Sequence, residues 1–284
     1  MRRLPILALL TVVLLAVPTA AHATPTAPDP ARATAILAEV RTAGTAWLLD
    51  PATGRMTLTV DDTVGAARLA VLRAAADRAG AVVRHEPGRL TTLIAGGEAI
   101  YTPPAGRCSL GANVTGGGVA YFVTAGHCTT AGSTWYAAGN PMPQLGTRVG
   151  SSFPGNDYGL VRYTNTAVPH PSAVHTYPGL LTLTGAGAAY VGQRVCRSGS
   201  TTGVRCGTVT GLNVTVHYAQ GSVYGLIRTN ICAEPGDSGG PLYDPATGKL
   251  LGILSGGSGN CTSGGTTYYQ PILEVLAAYG VTVP

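Results

Sequence analysis

From residue 94 onward, short strand-like runs alternate with glycine turns. Apolar and polar residues alternate over 212–218, which is typical of a half-buried β-strand, and the apolar runs 119–123 and 250–254 have strand length. The 40 glycines and 20 prolines of this 284-residue chain supply the turns. Many short strands without intervening helices indicate an all-β fold, and this part of the chain is long enough for two packed β units that share a cleft.

One helix is expected at the end of the chain. Ile272, Val275, Leu276 and Tyr279 share one face at helical spacing, and Gly280 is a typical stop. This is the one helical pattern that we identify after residue 94.

Residues 24–93 have a different pattern, which is that of a small α+β unit. They contain no cysteine, and ten of the 18 Lys and Arg residues precede residue 94. The expected elements, in order, are a helix from Pro30 to about Ala43 closed by Gly44, a strand over 56–60, a helix capped by Asp62 or Thr63 that ends at Gly80, and a strand over 81–83.

Residues 1–23 are expected to form a signal peptide, so that the protein is secreted. Arg2 and Arg3 precede the apolar run 6–17, and residues 21–23, Ala-His-Ala, suit a signal peptidase. A membrane anchor is the alternative, but the run is shorter than the ~20 residues that a span needs, and Pro18 interrupts it. No later segment of the sequence could span a bilayer, so no membrane association is expected after signal removal.

The charge distribution argues against nucleic acid as a partner. The formal net charge is +5, and the basic residues are scattered without a basic run. After residue 93, eight basic and six acidic residues leave a net charge of only +2.

All six cysteines follow residue 107, and an exported context favours their oxidation. Six cysteines allow ~15 connectivities. Their order suggests the disulfides Cys108–Cys128, Cys196–Cys206 and Cys232–Cys261. Zinc is the competing interpretation, but the sequence has no C-x₂-C pair or matching His-x₃-His, so we expect no metal and no cofactor.

A serine nucleophile is indicated by residues 234–241, Glu-Pro-Gly-Asp-Ser-Gly-Gly-Pro. Small neighbours leave open approach to Ser238, and glycines permit the unusual backbone angles of such a turn. The N–H groups of Gly236 and Ser238 are the expected donors to the oxyanion that forms on an attacked carbonyl. A glycine-rich surface turn is the alternative, and a serine nucleophile also needs a base and an orienting acid.

The candidate base is His127, in Thr-Ala-Gly-His-Cys over 124–128. Imidazole titrates near neutral pH, so it can take the serine proton and return it to a leaving amine. A structural histidine is the alternative, but Cys128 tethers His127 beside small residues. His170, His175 and His217 lack such a setting and are interpreted as solvent or strand residues.

The candidate acid is Asp157, which enters an apolar strand at 158–161. A carboxylate buried there needs a partner, and an imidazole N–H fits that need. A capping or turn aspartate is the alternative. The carboxylates after residue 93 are few: Glu98, Asp157, Glu234, Asp237, Asp244 and Glu274.

Three motifs in this order, at 124–128, 156–159 and 236–241, resemble the streptogrisin and α-lytic branch of the chymotrypsin-like serine proteases. The resemblance covers nearly all of 94–284. It extends to the segments 94–100, 107–111, 255–261 and 264–271. It implies an all-β fold of two six-stranded antiparallel Greek-key β-barrels with the active site between them. It also implies an N-terminal prosegment, which 24–93 resembles more loosely through 45–53.

The resemblance implies a role for each motif residue. Ser238 would be the nucleophile, His127 the general base and then acid, and Asp157 the group that orients the imidazole. Ser255 would donate a hydrogen bond to Asp157. An extended substrate would pair with the backbone of Ser255, Gly256 and Gly257.

Asp237 needs a partner of its own. Animal relatives hold the equivalent aspartate with a newly freed N-terminus, and 94–97, Ile-Ala-Gly-Gly, resembles that start. The bacterial branch uses an arginine instead, here Arg197. Only 33 residues separate Ile94 from His127, so we expect Arg197 to be the partner.

The first specificity pocket is expected to be roomy and uncharged. Cys232 stands where trypsin-like enzymes have an acid, and Leu254 stands where glutamate-selective members have a histidine. Large apolar side chains such as Phe, Tyr, Leu or Met are therefore expected. Glu234 could attract Lys or Arg, but water would screen it at the rim. The expected wall residues are Ala233, Glu234, Pro235, Ser255, Gly256, Gly257, Thr266 and Thr267.

The sequence therefore predicts a monomeric secreted serine endopeptidase, made as a pro-enzyme, that acts on extended polypeptides. Residues 1–23 would be the signal peptide, 24–93 a prosegment that is folding chaperone and inhibitor, and 94–284 the mature enzyme, with processing between Leu93 and Ile94. Trimming by another protease is the alternative to self-processing. A non-catalytic binding protein on a protease fold and a β-sandwich adhesin are the alternatives to an enzyme.

Overall fold

A computed structural model describes residues 29–50, 54–87, 94–104, 106–138 and 142–284. The chain divides into two compact units, 1–90 and 91–284. The expected signal peptide and Leu93 lie outside the described residues. Within the described ranges, no helix is both long enough and apolar enough to cross a membrane.

The first unit packs two helices against a three-stranded sheet. The strand order is β1-β2-β3, with β1 and β2 antiparallel and β2 and β3 parallel. Leu37, Leu58 and Leu72 are among its buried core residues. The elements are α1 (Pro30–Ala38), β1 (Thr45–Leu49), β2 (Met56–Val60), α2 (Ala66–Ala79) and β3 (Val82–His85).

The helix boundaries in this unit differ from the sequence-based expectation. Helix α1 ends at Ala38 instead of about Ala43, and Gly44 (φ 79°) lies in the turn before β1. The N-cap of α2 is Gly65, not Asp62 or Thr63. Polar residues just before α2 bond one another in a turn, because the Asp61 carboxylate accepts the Thr63 N–H at 2.8 Å. The predicted end of α2 at Gly80 is confirmed.

The second unit is built almost entirely of antiparallel strands. The first group is β4 (Ala99–Thr102), β5 (Gly106–Ser109), β6 (Ala112–Gly116), β7 (Val119–Thr124), β8 (Thr134–Ala137), β9 (Gln144–Ser152) and β10 (Tyr158–Tyr163), with the short helix α3 (Gly126–Thr130) after β7. A two-stranded ribbon follows, β11 (Ala173–His175) and β12 (Leu180–Thr182). The last group is β13 (Arg194–Gly199), β14 (Gly203–Tyr218), β15 (Gly221–Thr229), β16 (Pro241–Tyr243), β17 (Leu250–Asn260) and β18 (Gly264–Pro271), followed by α4 (Ile272–Tyr279).

The first group forms a seven-stranded sheet in the order β5-β4-β8-β9-β10-β7-β6. Its two edge strands, β5 and β6, are joined only by Leu110 and Gly111. The two edges must therefore meet, and the sheet curls on itself around Phe122, Trp135 and Leu145. The expected sixth strand is interrupted at this link, which is why seven segments replace six.

The second group closes fully as a six-stranded barrel in the order β13-β14-β15-β18-β17-β16. The expectation of an all-β, chymotrypsin-like architecture is confirmed. Helix α4 follows β18 as expected, buries Ile272 and Val275, and ends at Gly280 in the left-handed conformation.

The second unit contains three disulfides. Cys108–Cys128 joins β5 to α3, Cys196–Cys206 joins paired positions of β13 and β14, and Cys232–Cys261 joins the loop after β15 to the turn after β17. These are the pairs that the cysteine order suggested. Each closes a modest loop and constrains the unfolded chain, by roughly 2–4 kcal/mol in typical cases.

The buried Tyr269 makes the stability of the barrel decrease with rising pH in the alkaline range. Burial raises the pKa of its phenol to about 12, whereas an exposed tyrosine ionises near pH ~10. Between these values the unfolded chain releases a proton that the folded chain keeps. The contribution is therefore intact below pH ~10 and is lost as pH rises toward 12, by at most about 1.4 kcal/mol per pH unit.

We expect Tyr269→Phe to flatten this dependence, because phenylalanine has no proton to release. The measurement is urea unfolding at several pH values between 9 and 12, with Ser238→Ala in both proteins to remove the expected nucleophile. A pH-independent offset between the variants reports the lost hydroxyl. Equal slopes for both proteins would contradict the assignment to Tyr269.

Candidate active site

His127 lies in the short helix α3, directly after strand β7. The Cys108–Cys128 disulfide ties this helix to β5. A Cβ at the preceding Gly126 would lie only 2.3 Å from the carbonyl oxygen of Ser152, so glycine is required for this close approach. The backbone of His127 is thereby held against the end of β9.

Asp157 is fully buried just before β10, and both of its carboxylate oxygens have hydrogen-bond partners. Its Oδ2 lies 2.8 Å from His127 Nδ1 and accepts the Ser255 hydroxyl at 2.6 Å. Its Oδ1 accepts the backbone N–H of His127 at 2.8 Å. With the carboxylate at Nδ1, the imidazole carries its proton there, and Nε2 is left as the acceptor.

Ser238 lies in the turn between β15 and β16. Its carbonyl accepts the Ser109 N–H at 2.8 Å and lies 3.9 Å from Cys128 Sγ, so the turn adjoins the helix that carries His127. Within the described residues, Ser238 Oγ makes no hydrogen bond to His127. Such bonds often tighten only in the substrate complex.

Some backbone N–H groups in this turn have a hydrogen-bond acceptor and others have none. The N–H groups of Asp237, Gly239 and Gly240 donate to carbonyls. Those of Gly236 and Ser238 have no acceptor among the residues that the structure describes. Gly236 has φ 98°, which favours glycine, and a Cβ there would lie 2.4 Å from the Arg107 guanidinium. Two donors in one turn are thus free for an anion.

Asp237 is fully buried and ion-paired with Arg197, whose Nη2 lies 3.2 Å from Asp237 Oδ2. The carboxylate also accepts the N–H groups of Thr201, Thr202 and Glu234 at 2.9–3.1 Å. Arg197 in turn donates from Nε to the Cys232 carbonyl at 2.7 Å. The structure therefore joins Asp237 to the arginine that the sequence pointed to, and the pair fixes the turn that carries Ser238.

Comparison with known proteins places this geometry in a family. The family model described as Trypsin matches residues 111–278. The chain belongs to the trypsin family. Streptogrisin-A of Streptomyces griseus is 53% identical over 245 residues, which is 85% of this chain and 78% of that protein. The named relatives of this chain are serine proteases, so this chain is a serine endopeptidase and its substrates are polypeptides.

Two solved structures share the fold of this trypsin-family protease. A glutamic acid specific serine protease, described as using a novel histidine triad in substrate binding, is 48% identical with a TM-score of 0.63, covering 67% of this chain and 100% of that one. Cellulomonas bogoriensis chymotrypsin is 48% identical with a TM-score of 0.60, covering 68% of this chain and 99% of that one.

The expected wall residues of the protease pocket lie in two adjacent segments. Ala233, Glu234 and Pro235 follow β15, and Ser255, Gly256 and Gly257 lie in β17. The Glu234 carboxylate is already engaged in a hydrogen bond, because its Oε1 accepts the Cys261 N–H at 2.9 Å.

Thr267, on β18, pairs with Gly257 of β17. The Thr267 side chain is buried, and its hydroxyl donates to the Ile231 carbonyl oxygen at 3.0 Å. Its backbone, rather than its side chain, supports the wall. The neighbouring Thr266 points to the opposite face of the strand and is half-buried.

A groove beside His127 was missed by sequence reasoning. It has a volume of about 310 Å³ and is lined by His127, Thr130, Phe153, Asp157, Tyr218, Gln220 and Ser255. Burial raises the pKa of the Tyr218 phenol, with Asp157 adding to the increase and the Ser255 hydrogen bond opposing it. The phenol oxygen lies 3.2 Å from Ser255 Oγ. Because Ser255 donates its proton to Asp157, the phenol is the donor in this contact. The alternating pattern of 212–218 predicted a strand, but it did not indicate that Tyr218, at the end of that strand, reaches the site.

The other described histidines of this unit lie apart from the catalytic set. His170 stacks on Tyr163 with ring centroids 4.3 Å apart, and His217 Nδ1 lies 2.7 Å from Ser222 Oγ. His175 packs against Tyr177 with centroids 4.1 Å apart. His175 and His217 lie in strands β11 and β14, as interpreted, whereas His170 is half-buried in the loop after β10.

We expect Arg197→Ala to reduce kcat/KM by at least ~100-fold, because removing one partner of a buried ion pair costs roughly 3–5 kcal/mol. Asp237 would then be left buried and unpaired beside the oxyanion donors. The matched control is Arg205→Ala, since Arg205 faces Arg197 across the β13–β14 ladder but is exposed. Activity is measured on a chromogenic peptide with the concentration of folded enzyme determined independently.

A complementary variant carries one extra residue before Ile94. It should keep its activity, because the N–H of Ile94 donates to the Pro169 carbonyl at 2.9 Å and not to Asp237. Loss of activity on this insertion, with Arg197→Ala active, would assign the role to the N-terminus.

Proposed function

We propose that this protease is a secreted endopeptidase that uses Ser238, His127 and Asp157 as a catalytic triad. The observation that carries the proposal is the buried Asp157 carboxylate, which contacts His127 Nδ1 at 2.8 Å and Ser255 Oγ at 2.6 Å. The free N–H groups of Gly236 and Ser238 supply the matching oxyanion site.

In the proposed mechanism, Ser238 Oγ attacks the carbonyl carbon of the scissile bond while His127 Nε2 takes its proton. The carbonyl oxygen becomes an oxyanion that accepts the N–H groups of Gly236 and Ser238. His127 then gives the proton to the leaving amine, and an acyl-enzyme remains. Water, deprotonated by His127, then attacks the acyl carbon. The ester bond to Ser238 Oγ breaks, His127 returns the proton to that oxygen, and the carboxylic acid product leaves. Asp157 holds the imidazole in position and stabilises its protonated form.

The pocket next to Ser238 is proposed to accept large apolar side chains. Cys232 at the expected base is half of a disulfide, and Leu254 is buried where a histidine would favour glutamate. The two solved structures are equally similar in sequence, although one is described as glutamic acid specific and the other as a chymotrypsin. The pocket residues, rather than overall identity, therefore support the chymotrypsin-like preference.

We expect kcat/KM for peptides with Phe or Leu before the scissile bond to exceed that for Lys or Glu by at least ~100-fold, because burying an unpaired charge costs several kcal/mol. A matched peptide series differing at that one position measures the ratio. Ser238→Ala should cleave none of the peptides and should not react with a phosphonofluoridate. A preference for Lys that Glu234→Gln abolishes would show that Glu234 governs the pocket.

The chain is further proposed to be made as a pro-enzyme, with 1–23 as signal peptide, 24–93 as prosegment and 94–284 as mature monomeric enzyme. The boundary between the compact units, at 90 and 91, lies close to the proposed cut. Ile94 is 3% exposed, and this burial supports placing the start of the mature enzyme at this residue. The prosegment would act first as a folding template and then as a bound inhibitor.

We expect the enzyme to cut between Leu93 and Ile94 itself, because Leu is a side chain that the proposed pocket accepts. Purified Ser238→Ala precursor should remain one chain of 24–284, as judged by intact mass. Leu93→Asp should slow processing in the otherwise active protein. Maturation of Ser238→Ala at Ile94 in a protease-free preparation would show that another protease makes the cut.

A further inference from the structure

We propose that Gln270 and Glu274 are positioning residues for the catalytic aspartate, acting through the backbone N–H of Asp157. This inference rests on the proposed triad but adds residues that the triad does not include. Neither residue belongs to the motifs that define the serine, histidine and aspartate. Their role follows from a chain of two hydrogen bonds that begins at a surface helix and ends at the catalytic carboxylate's own residue.

The first link is a buried hydrogen bond between the closed barrel and the seven-stranded sheet. Gln270 lies on β18 of the closed barrel and is fully buried. Its Oε1 accepts the N–H of Asp157 at 2.8 Å, although Asp157 precedes β10 of the other sheet. An N–H buried at this depth needs an acceptor, since leaving it unpaired costs much of the energy of a hydrogen bond.

The second link fixes which way round the amide lies. A glutamine amide carries an acceptor oxygen and a donor nitrogen, and a half-turn exchanges them. Gln270 Nε2 donates to Glu274 Oε2 at 2.8 Å. An ionised carboxylate only accepts, so it holds the nitrogen on its own side and the oxygen toward Asp157. A flipped amide would set its NH₂ group against the Asp157 N–H, and two donors would face each other.

Glu274 is well placed for this task. It lies in the first turn of α4, where the helix dipole favours a negative charge. It is exposed, so its charge carries little desolvation cost. The side chain also spans one helical turn back to Gln270, which precedes the helix by only two residues.

The consequence concerns the aim of the Asp157 carboxylate. Ser255 and His127 hold its two oxygens, whereas Gln270 holds the peptide unit from which the side chain projects. If that peptide unit rotates, the contact with His127 Nδ1 loses its alignment. Positioning of this kind affects the chemical step more than substrate binding, so its loss lowers kcat and leaves KM nearly unchanged.

The test is a series at Glu274 in the full-length enzyme, allowed to mature, with active-site titration and a Phe-containing chromogenic peptide. Glu274→Gln keeps an acceptor and should retain kcat within about twofold. Glu274→Met offers none and should lower kcat by about three- to tenfold. Glu274→Lys offers a donor, favours the flipped amide and should lower kcat by about tenfold or more. KM should stay within about twofold throughout.

The matched control is Leu273→Lys, which places the same cation in the same exposed first turn, one position before the residue that accepts from Gln270. It should keep wild-type kcat, so charge and helix stability alone do not explain the Glu274→Lys result. A second variant, Gln270→Met, removes the acceptor itself and should lower kcat at least as much as Glu274→Lys. Thermal unfolding identifies any variant that fails to fold, and the surface series at Glu274 then decides.

Equal kcat for all three Glu274 variants, or a loss confined to KM, would overturn the positioning role while leaving the triad intact. The same holds if Leu273→Lys is as impaired as Glu274→Lys. An inactive wild-type enzyme, unreactive toward phosphonofluoridate, would instead refute the proposed function on which this inference rests. The supporting result is a kcat that decreases in the order Glu274→Gln, Glu274→Met, Glu274→Lys while KM stays constant.

Discussion

The burial of one carboxylate organises the protease unit. An ionised group without solvent must be fully hydrogen-bonded, and Asp157 finds its partners on three separate elements. His127 comes from α3, Ser255 from β17 and Gln270 from β18. The pairing of β17 with β18 shifts its register at Ser255. Such a bulge changes the direction of a side chain, and here the Ser255 hydroxyl reaches Asp157 beside the seven-stranded sheet. The seven-stranded sheet and the closed barrel are therefore joined at the residue proposed to orient His127.

The second buried charge shapes the other half of the site. Arg197 is 0% exposed, and such a guanidinium persists only if the ion pair is supplemented by further hydrogen bonds. Its partners and those of Asp237 include backbone groups of the 201–203 turn and of Cys232. Satisfying this pair thus fixes the loop geometry that leaves the Gly236 and Ser238 donors unpaired.

The sequence predicted what local chemistry encodes and missed what tertiary packing creates. Ser238 and His127 lie in motifs whose small residues and tethering cysteine are visible in a few consecutive positions, and Asp157 was one of very few carboxylates. Tyr218 and the bridge through Gln270 carry no such local signature, since they lie on strands far from Asp157 in the chain. Phe153 is only four residues before Asp157, but no local pattern marks it as a lining residue. Strand β1 was invisible for another reason. Most of its residues are exposed, so it lacks the alternation that marks a half-buried strand.

The Arg197–Asp237 pair has a consequence for the timing of activity. Both partners belong to the same β-barrel unit, and Arg197 sits in a strand rather than at a chain end released by cleavage. An oxyanion turn held in this way is complete as soon as the barrel folds, whether or not any peptide bond has been cut. Activity in such a chain is then controlled by access to the cleft, because the turn itself needs no freed chain end to take its shape.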